Sequence, residues 1–326
     1  MNQYSNAPER FHRTKKRPGK GRGHALLALA FIILASVTAW QIRPLFANDI
    51  SVQDEPGLTS DFAGYPGNPQ QERHSQTSND ATPTQAATQT FTFAELNAMS
   101  NDYLLLVNPW YAVPHDIAGN FVRIDGHVNS LNPNMLIIED ALIMLSAMFN
   151  SAASVGFHQF RVTQAFRTHE YQQGLYDQFA GTGIAARPGH SEHQVGLAVD
   201  ISYEGVNIGN SLQGDWLMNY SYRYGFILRY PQHKTEITGI PFEPWHYRFV
   251  GQPHAFFMTH NDMVLEEYIA HLRNNREITV FVEAVEFNVF YLSHVDESIE
   301  IPYGQTFWAS RDNTGGIIVT AINTNE

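Results

Sequence analysis

The chain has 326 residues, 43% of them hydrophobic and 13% aromatic, enough apolar material for one sizeable domain or two modest ones, which excludes a wholly disordered protein. Its formal net charge is -12. An acidic balance of this size argues against nucleic acid as the partner, because phosphate neutralisation needs lysine and arginine on the binding face.

The charge is unevenly placed. Residues 1–22 carry seven basic side chains (Arg10, Arg13, Lys15, Lys16, Arg17, Lys20, Arg22) against the single acid Glu9. Ala25 to Ile42 is then an uncharged apolar run of eighteen residues, close to the roughly 20 that a helix needs to cross a bilayer. Its positive flank predicts a cytoplasmic N-terminus and an exported body after Arg43. A cleaved signal peptide ending near Ala47 is the rival, but the run exceeds the about 7–15 residues of a signal's apolar core. The expected organisation starts with a basic cytoplasmic segment (1–23), a transmembrane anchor (24–43) and a flexible linker (44–90). The linker follows from composition: residues 48–90 are rich in Gln, Thr, Ser, Asn, Asp, Pro and Gly, with too few large apolar side chains to offset the entropy of ordering. With no cysteine in the chain, any metal must be held by histidine and carboxylate.

Folded character begins near Phe91. Tyr103-Asn108 reads as a strand. Across Met135-Phe149, Leu136, Ile137, Ala141, Leu142, Leu145 and Met148 fall on one helical face. A further helix is expected over Glu170-Ala180, with Thr168 as N-cap. After about 275, β-branched and aromatic runs broken by Pro302, Gly304 and Gly315-Gly316 predict a small C-terminal β element.

Two segments concentrate residues that the surrounding pattern does not need. In the first, Ser191 to Asp200, a strand reading sends Leu197, Val199 and Ile201 to one face and Asp200 to the other. Gly196 permits a backbone bend that brings His193 toward Asp200. Alone the pair says little, since an exposed aspartate on a strand is usually only solvated. In the second, Phe242 to Phe249, Trp245, Tyr247 and Phe249 alternate against His246 and Arg248, and Pro244 holds Glu243 extended. Any one of the 15 histidines is more often hydrogen-bonded than metal-bound. Together, however, the segments supply two imidazoles, one ligand carboxylate and one spare carboxylate. That is the requirement of hydrolytic zinc chemistry: three protein ligands, one position open to water, and a base beside it. His and carboxylate ligands do not exclude other divalent metals.

Ser191-x-His193-x-x-Gly196-x-Ala198-x-Asp200 followed by Glu243-x-Trp245-His246-x-Arg248 resembles the paired signature of the VanY-type D-alanyl-D-alanine carboxypeptidases, relatives of the D-Ala-D-Ala dipeptidases. The resemblance implies zinc held by His193, Asp200 and His246, with Glu243 as general base. Upstream, Ala165-Phe166-Arg167-Thr168 with Gln172 is similar to the family's small-aromatic-Arg-Ser segment, with Thr168 in place of the usual serine. It implies Arg167 as the group that steadies the developing oxyanion, and Gln172 in substrate binding. Ser191 is expected to hydrogen-bond substrate; a nucleophile role is disfavoured because no Gly-x-Ser-x-Gly elbow is present. His190, His233, His254 and His260 have no partner spacing and are expected to be structural or solvated.

The implied fold is α+β: a central, mainly antiparallel sheet carrying the zinc site, with helices on its other face. The carboxypeptidase domain is expected over 91–274 and a C-terminal β extension over 275–326. The implied partners are peptidoglycan peptides ending in D-Ala-D-Ala, and the implied place is the outer face of a bacterial cell membrane. Two alternatives stay open: a related zinc peptidase cutting an L,D or D,L bond of the stem, and a wall-binding protein without turnover. Glu243 speaks against the second, since a binder needs no base.

Overall fold

The computed structural model describes residues 87–113, 117 and 119–323. The candidate anchor and most of the linker lie outside these residues, and no helix among them is long and apolar enough to cross a membrane. In chain order the elements are β1 (Thr88–Thr92), α1 (Phe93–Ala98), β2 (Phe121–Arg123), β3 (Leu136–Ile138), α2 (Glu139–Ser154), β4 (Phe160–Gln164), α3 (His169–Gln178), β5 (Ala198–Tyr203), α4 (Leu212–Tyr220), β6 (Phe226–Leu228), α5 (Thr235–Thr238), β7 (His246–Phe249), α6 (Gln252–His260), α7 (Leu265–Asn275), β8 (Glu277–Val282), β9 (Val285–Leu292), β10 (Ser298–Pro302), β11 (Phe307–Arg311) and β12 (Ile317–Asn323).

Two four-stranded antiparallel sheets organise the fold, in the orders β4-β5-β7-β6 and β11-β12-β9-β8. The first packs its apolar side chains Val162, Val199, Ile201, Tyr247 and Phe249 with Ala141, Leu142, Leu145 and Met148 of α2. The helical periodicity of that segment holds from Glu139 onward. Leu136 and Ile137, expected on the same helix, lie instead in β3, which pairs with β2. α3 starts as predicted, with the Thr168 hydroxyl accepting from the Tyr171 amide at 3.1 Å.

The second sheet is the predicted C-terminal β element, but it does not make a core by itself. Val280, Val289 and Ile318 share one apolar cluster with Met258 of α6 and with Leu265, Tyr268 and Leu272 of α7. The boundary expected at 274/275 therefore falls inside a continuous core.

The strand expected at Tyr103-Asn108 is not formed. Its two-residue alternation is present: Tyr103, Leu105 and Val107 enter the first core, while Leu104 and Leu106 enter the second. The segment lies between the two cores with no partner strand, so its buried backbone groups find other partners. Arg248 donates to the Tyr103 and Leu105 carbonyls, the Ser310 hydroxyl accepts from the Leu104 amide, and the Asp312 carbonyl accepts from the Leu106 amide.

His254 of α6 joins the second core to β12. Fully buried, it lies 2.8 Å from the Tyr268 hydroxyl through Nδ1 and 3.1 Å from the Thr320 hydroxyl through Nε2. Burial pushes its imidazole down to about 3. A histidine with a depressed folded pKa contributes stability that is complete above its unfolded value, about 6.5, and is lost as pH falls from there toward the folded value. Stability of the wild type is therefore expected to drop below about pH 6.5 by up to about 1.4 kcal/mol per pH unit from this group. Urea unfolding of the wild type and His254→Gln at pH 7.5, 6 and 5 checks this; parallel pH dependences in the two proteins would remove His254 as the cause.

Candidate metal centre and active site

The first motif folds as a tight turn feeding a strand. Glu192–Val195 forms a buried 3-10 turn that ends on Gly196 at φ 76°. A Cβ at Gly196 would stand 2.4 Å from Phe121 Cε1, so both the left-handed backbone and the close approach require glycine there. The chain then enters β5, whose register with β7 sets Ala198 opposite Arg248, Val199 opposite Tyr247 and Asp200 opposite His246. The Ile201 amide donates to the Trp245 carbonyl and the Phe249 amide to the Leu197 carbonyl, each at 2.8 Å. These bonds make Asp200 and His246 a non-hydrogen-bonded pair, the kind whose side chains come closest in an antiparallel ladder.

Three predicted ligands converge there. One donor atom from each of His193, Asp200 and His246 lies within 4.8 Å of the others. Asp200 Oδ1 is 3.4 Å from His193 Nε2 and 3.1 Å from His246 Nδ1, and the imidazole centroids are 4.9 Å apart. The far nitrogens are occupied: His193 Nδ1 lies 2.9 Å from the Ala165 carbonyl, and His246 Nε2 lies 3.3 Å from Glu192 Oε2. A donor set of two imidazoles and a carboxylate, each histidine turned by a partner on its outer nitrogen, fits a divalent zinc ion.

Electrostatics prepare the ligands differently. Burial pushes His193 down to about 4, so it is neutral and ready to bind metal at pH 7. For His246 burial works downward too, but hydrogen bonds to Asp200 and Glu192 outweigh it and raise the ring to about 9. Metal uptake at neutral pH must then displace a proton from His246. Zinc affinity is expected to rise by at least about tenfold per pH unit across pH 6–8, with at least one proton, that of His246, released per ion; calorimetry in buffers of different ionisation enthalpy measures the release, and a pH-independent affinity would count against it.

Beside the ligands stand the other predicted groups. Glu243 Oε2 is 3.7 Å from His246 Nδ1, and its side chain remains 27% exposed, open to an incoming substrate. Burial, opposed by the charge of His246 and reinforced by that of Asp200, pushes its carboxyl up to about 7. The Arg167 guanidinium sits 3.7 Å from Asp200 Oδ2. Gln164 and Gln172 hold it through side-chain oxygens 3.3 Å from Nε and Nη1. Gln172 is fully buried and also donates to the Ala186 carbonyl at 2.8 Å, so both ends of its amide are engaged in fixing Arg167. Ser191 opens the 3-10 turn, its hydroxyl making no capping bond.

Sequence reasoning missed what lies behind the ligands. Glu192 is buried and accepts from Arg229 Nε at 2.7 Å and Arg248 Nη1 at 3.0 Å. Arg229 in turn makes a two-point contact with Glu266 of α7, at 2.9 and 2.7 Å. Glu192 and Arg248 stand inside the two motifs and Arg229 just upstream of the second, but a charged side chain at such a position is ordinarily solvated. Three of the histidines expected to be structural or solvated divide between the two: His190 Nδ1 lies 2.9 Å from the Asn108 carbonyl, whereas His233, 2.8 Å from Asp262, and His260, stacked on Phe256, are exposed.

An antiparallel sheet that carries Asp200 and His246, with His193 on the turn that enters it and a free carboxyl and a held guanidinium beside them, has the parts of a metallohydrolase. Residues 135–252 match the family model described as VanY, D-alanyl-D-alanine carboxypeptidase. The D-alanyl-D-alanine carboxypeptidase of Enterococcus faecium is 33% identical over 227 residues, covering 67% of this chain and 75% of that one. That of Enterococcus faecalis strain V583 is 41% identical over 142 residues, covering 38% and 52%. Among solved structures, the vancomycin-resistance D,D-dipeptidase VanXYg in complex with a D-Ala-D-Ala phosphinate analogue is 29% identical with a TM-score of 0.64, covering 73% of this chain and all of that one. The chain belongs to the VanY family of D-alanyl-D-alanine carboxypeptidases.

Proposed function

We propose that this protein removes the terminal D-alanine from peptidoglycan stem peptides or their precursors that end in D-Ala-D-Ala, with zinc held by His193, Asp200 and His246. The observation that carries the reading is the Glu243 carboxylate, 3.7 Å from a ligand imidazole and partly open to solvent beside the three converged donors. Zinc, when bound, supplies Lewis acidity: it acidifies water and polarises the scissile carbonyl. The remaining work belongs to the chain. Glu243 takes a proton from the attacking water as the carbon–oxygen bond forms, then passes it to the amide nitrogen as the carbon–nitrogen bond breaks and D-alanine leaves with a neutral amine. With a carboxyl pushed up to about 7 in the metal-free chain, Glu243 is suited to both directions of transfer; a nearby divalent cation favours its carboxylate form. Arg167, held by Gln164 and Gln172, steadies the carbonyl oxygen as negative charge grows on it. Ser191 offers its hydroxyl to the substrate, and Gln172 serves the substrate through the arginine it fixes.

Export and anchoring belong to the same proposal. They are supported by the apolar run 25–42 behind seven basic residues and by the polar stretch after it. A linker of about 40 residues would have a root-mean-square reach of about 35 Å, letting a tethered enzyme search the wall near the membrane.

The test is D-alanine release by the full-length protein in detergent from a pentapeptide ending in D-Ala-D-Ala, alongside the free dipeptide and a tetrapeptide with an L,D bond. Zinc-dependent release from the pentapeptide, abolished by chelator, is the expected outcome. Cleavage of the tetrapeptide alone would move the assignment to an L,D bond, and no cleavage by a folded, zinc-loaded protein would leave a wall-binding role.

A further inference from the structure

The ligand His246 is held from behind by a chain of buried charge that leaves the metal motifs altogether. Its Nε2 lies 3.3 Å from Glu192 Oε2, while Nδ1 faces Asp200 Oδ1 at 3.1 Å and Glu243 Oε2 at 3.7 Å. The ring is also covered by Tyr230, centroid to centroid 4.8 Å, whose own face carries the Arg229 guanidinium at 5.0 Å. Glu192 is immobilised by Arg229 and Arg248, and its side chain has no solvent exposure. Arg248 is fixed by the Tyr103 and Leu105 carbonyls at 3.1 Å each. Arg229 is fixed by Glu266, which also accepts from the Asn108 side chain at 2.9 Å. Glu266, Arg229 and Glu192 thus alternate in charge from α7 to the metal site, and Arg248 holds Glu192 from the side.

We propose that Glu192 is a positioning residue of the metal centre. Its carboxylate accepts the Nε2–H of His246, fixes the tautomer that turns Nδ1 to the ion, and strengthens that nitrogen as a donor; Glu266, acting through Arg229, is the outer anchor of the same chain. His193 is turned the opposite way, through Nδ1–H to the Ala165 carbonyl, so the two ligand rings present different nitrogens and need different partners. Glu192 carries a charge where Ala165 offers only a carbonyl, and a carboxylate behind a ligand imidazole raises its basicity. A neutral pairing would satisfy packing equally well, so the buried ionic chain calls for a role beyond packing.

This inference rests on the zinc reading above and not on which peptide bond is cut, so metal binding is its readout. Zinc affinity of the full-length protein is measured by competition with a chromophoric chelator for the wild type, Glu192→Gln and Glu266→Gln, together with the visible spectrum of the cobalt-substituted forms. Glu192→Gln is expected to weaken zinc about 10–100-fold and to shift the cobalt spectrum, and Glu266→Gln to weaken zinc by a smaller factor. A folded Glu192→Gln protein with unchanged affinity and spectrum would overturn the proposal, while a wild type that binds no zinc would overturn the zinc reading itself. Because Glu192→Gln leaves two buried arginines short of an acceptor charge, the tautomer is also read in the wild type. In zinc-loaded protein with 15N-labelled histidine, His246 is expected to carry its proton on Nε2 and His193 on Nδ1. A proton on His246 Nδ1 would overturn the proposal without any variant, and a purely structural ion pair would lower the melting temperature on mutation without moving either signal.

Discussion

Replacing Glu243 with glutamine is expected to lower kcat by about 10²–10⁴-fold, the range a positioned proton-transfer group contributes, while zinc content stays at one per chain. The substitution keeps the shape of the side chain and removes only its capacity to take a proton. Glu243 is outside the ligand set, since His193, Asp200 and His246 supply the three converging donors. Its nearest ligand contact is the 3.7 Å approach to His246. The pH profile gives the second half of the result. A base must be deprotonated to act, so wild-type kcat falls on the acid side as Glu243 takes up its proton. Burial places that step at about 7 in the metal-free chain, and a bound cation moves it lower. The acid limb should disappear from the residual activity of Glu243→Gln. A variant that keeps both full turnover and the acid limb would pass the base role to another group.

Arg167→Gln is the second large effect, an expected loss of about 10²–10³ in kcat, the cost of removing one preorganised donor to a developing oxyanion. The guanidinium does not reach the site by chance. Its Nε and Nη1 are held at 3.3 Å by Gln164 and Gln172, and its backbone amide donates to the His193 carbonyl at 3.0 Å, tying its loop to the first ligand. Its remaining Nη2 points toward Asp200 at 3.7 Å. Burial lowers its pKa, opposed chiefly by the Asp200 carboxylate, yet arginine remains charged at any working pH. Arg167→Lys should recover little, because a lysine ammonium cannot reproduce the two-nitrogen hold of the glutamines. The discriminating measurement is the separation of kcat from KM: a raised KM at unchanged kcat would reassign Arg167 to ground-state binding, for instance of the substrate's terminal carboxylate.

Arg167 and Glu243 were picked out through the family resemblance, whereas the turn and strand that bring His193 and Asp200 together were legible in local sequence. A turn that carries His193 into a strand with Asp200 needs Gly196, and the observed φ of 76° with Phe121 packed against it shows why. The alternation of Leu197, Val199 and Ile201 against Asp200 placed the carboxylate on the face away from the apolar core, and the Thr168 cap marked where α3 begins. Hydrophobic periodicity and capping are properties of a few neighbouring residues, so one chain is enough to read them.

What periodicity cannot encode is the partner across the gap. Tyr103-Asn108 has the alternation of a strand, and only the two cores on either side of it decide that its backbone bonds to Arg248, Ser310 and Asp312 rather than to a ladder. Leu136 and Ile137 fit a helical face as readily as the short strand they form, since three residues cannot separate the two periods. Glu192 and Arg229 are 37 residues apart in sequence and become an ion pair only because the fold excludes water from both. The sequence by itself determined which histidines and carboxylates were candidates for the metal site; the tertiary structure decided that His193, Asp200 and His246 converge with Glu243 beside them, the β5–β7 register that sets Asp200 opposite His246, and the buried charge behind His246. The physical reason is that ligand identity is a property of single residues, whereas register and desolvation belong to elements brought together from far apart in the chain.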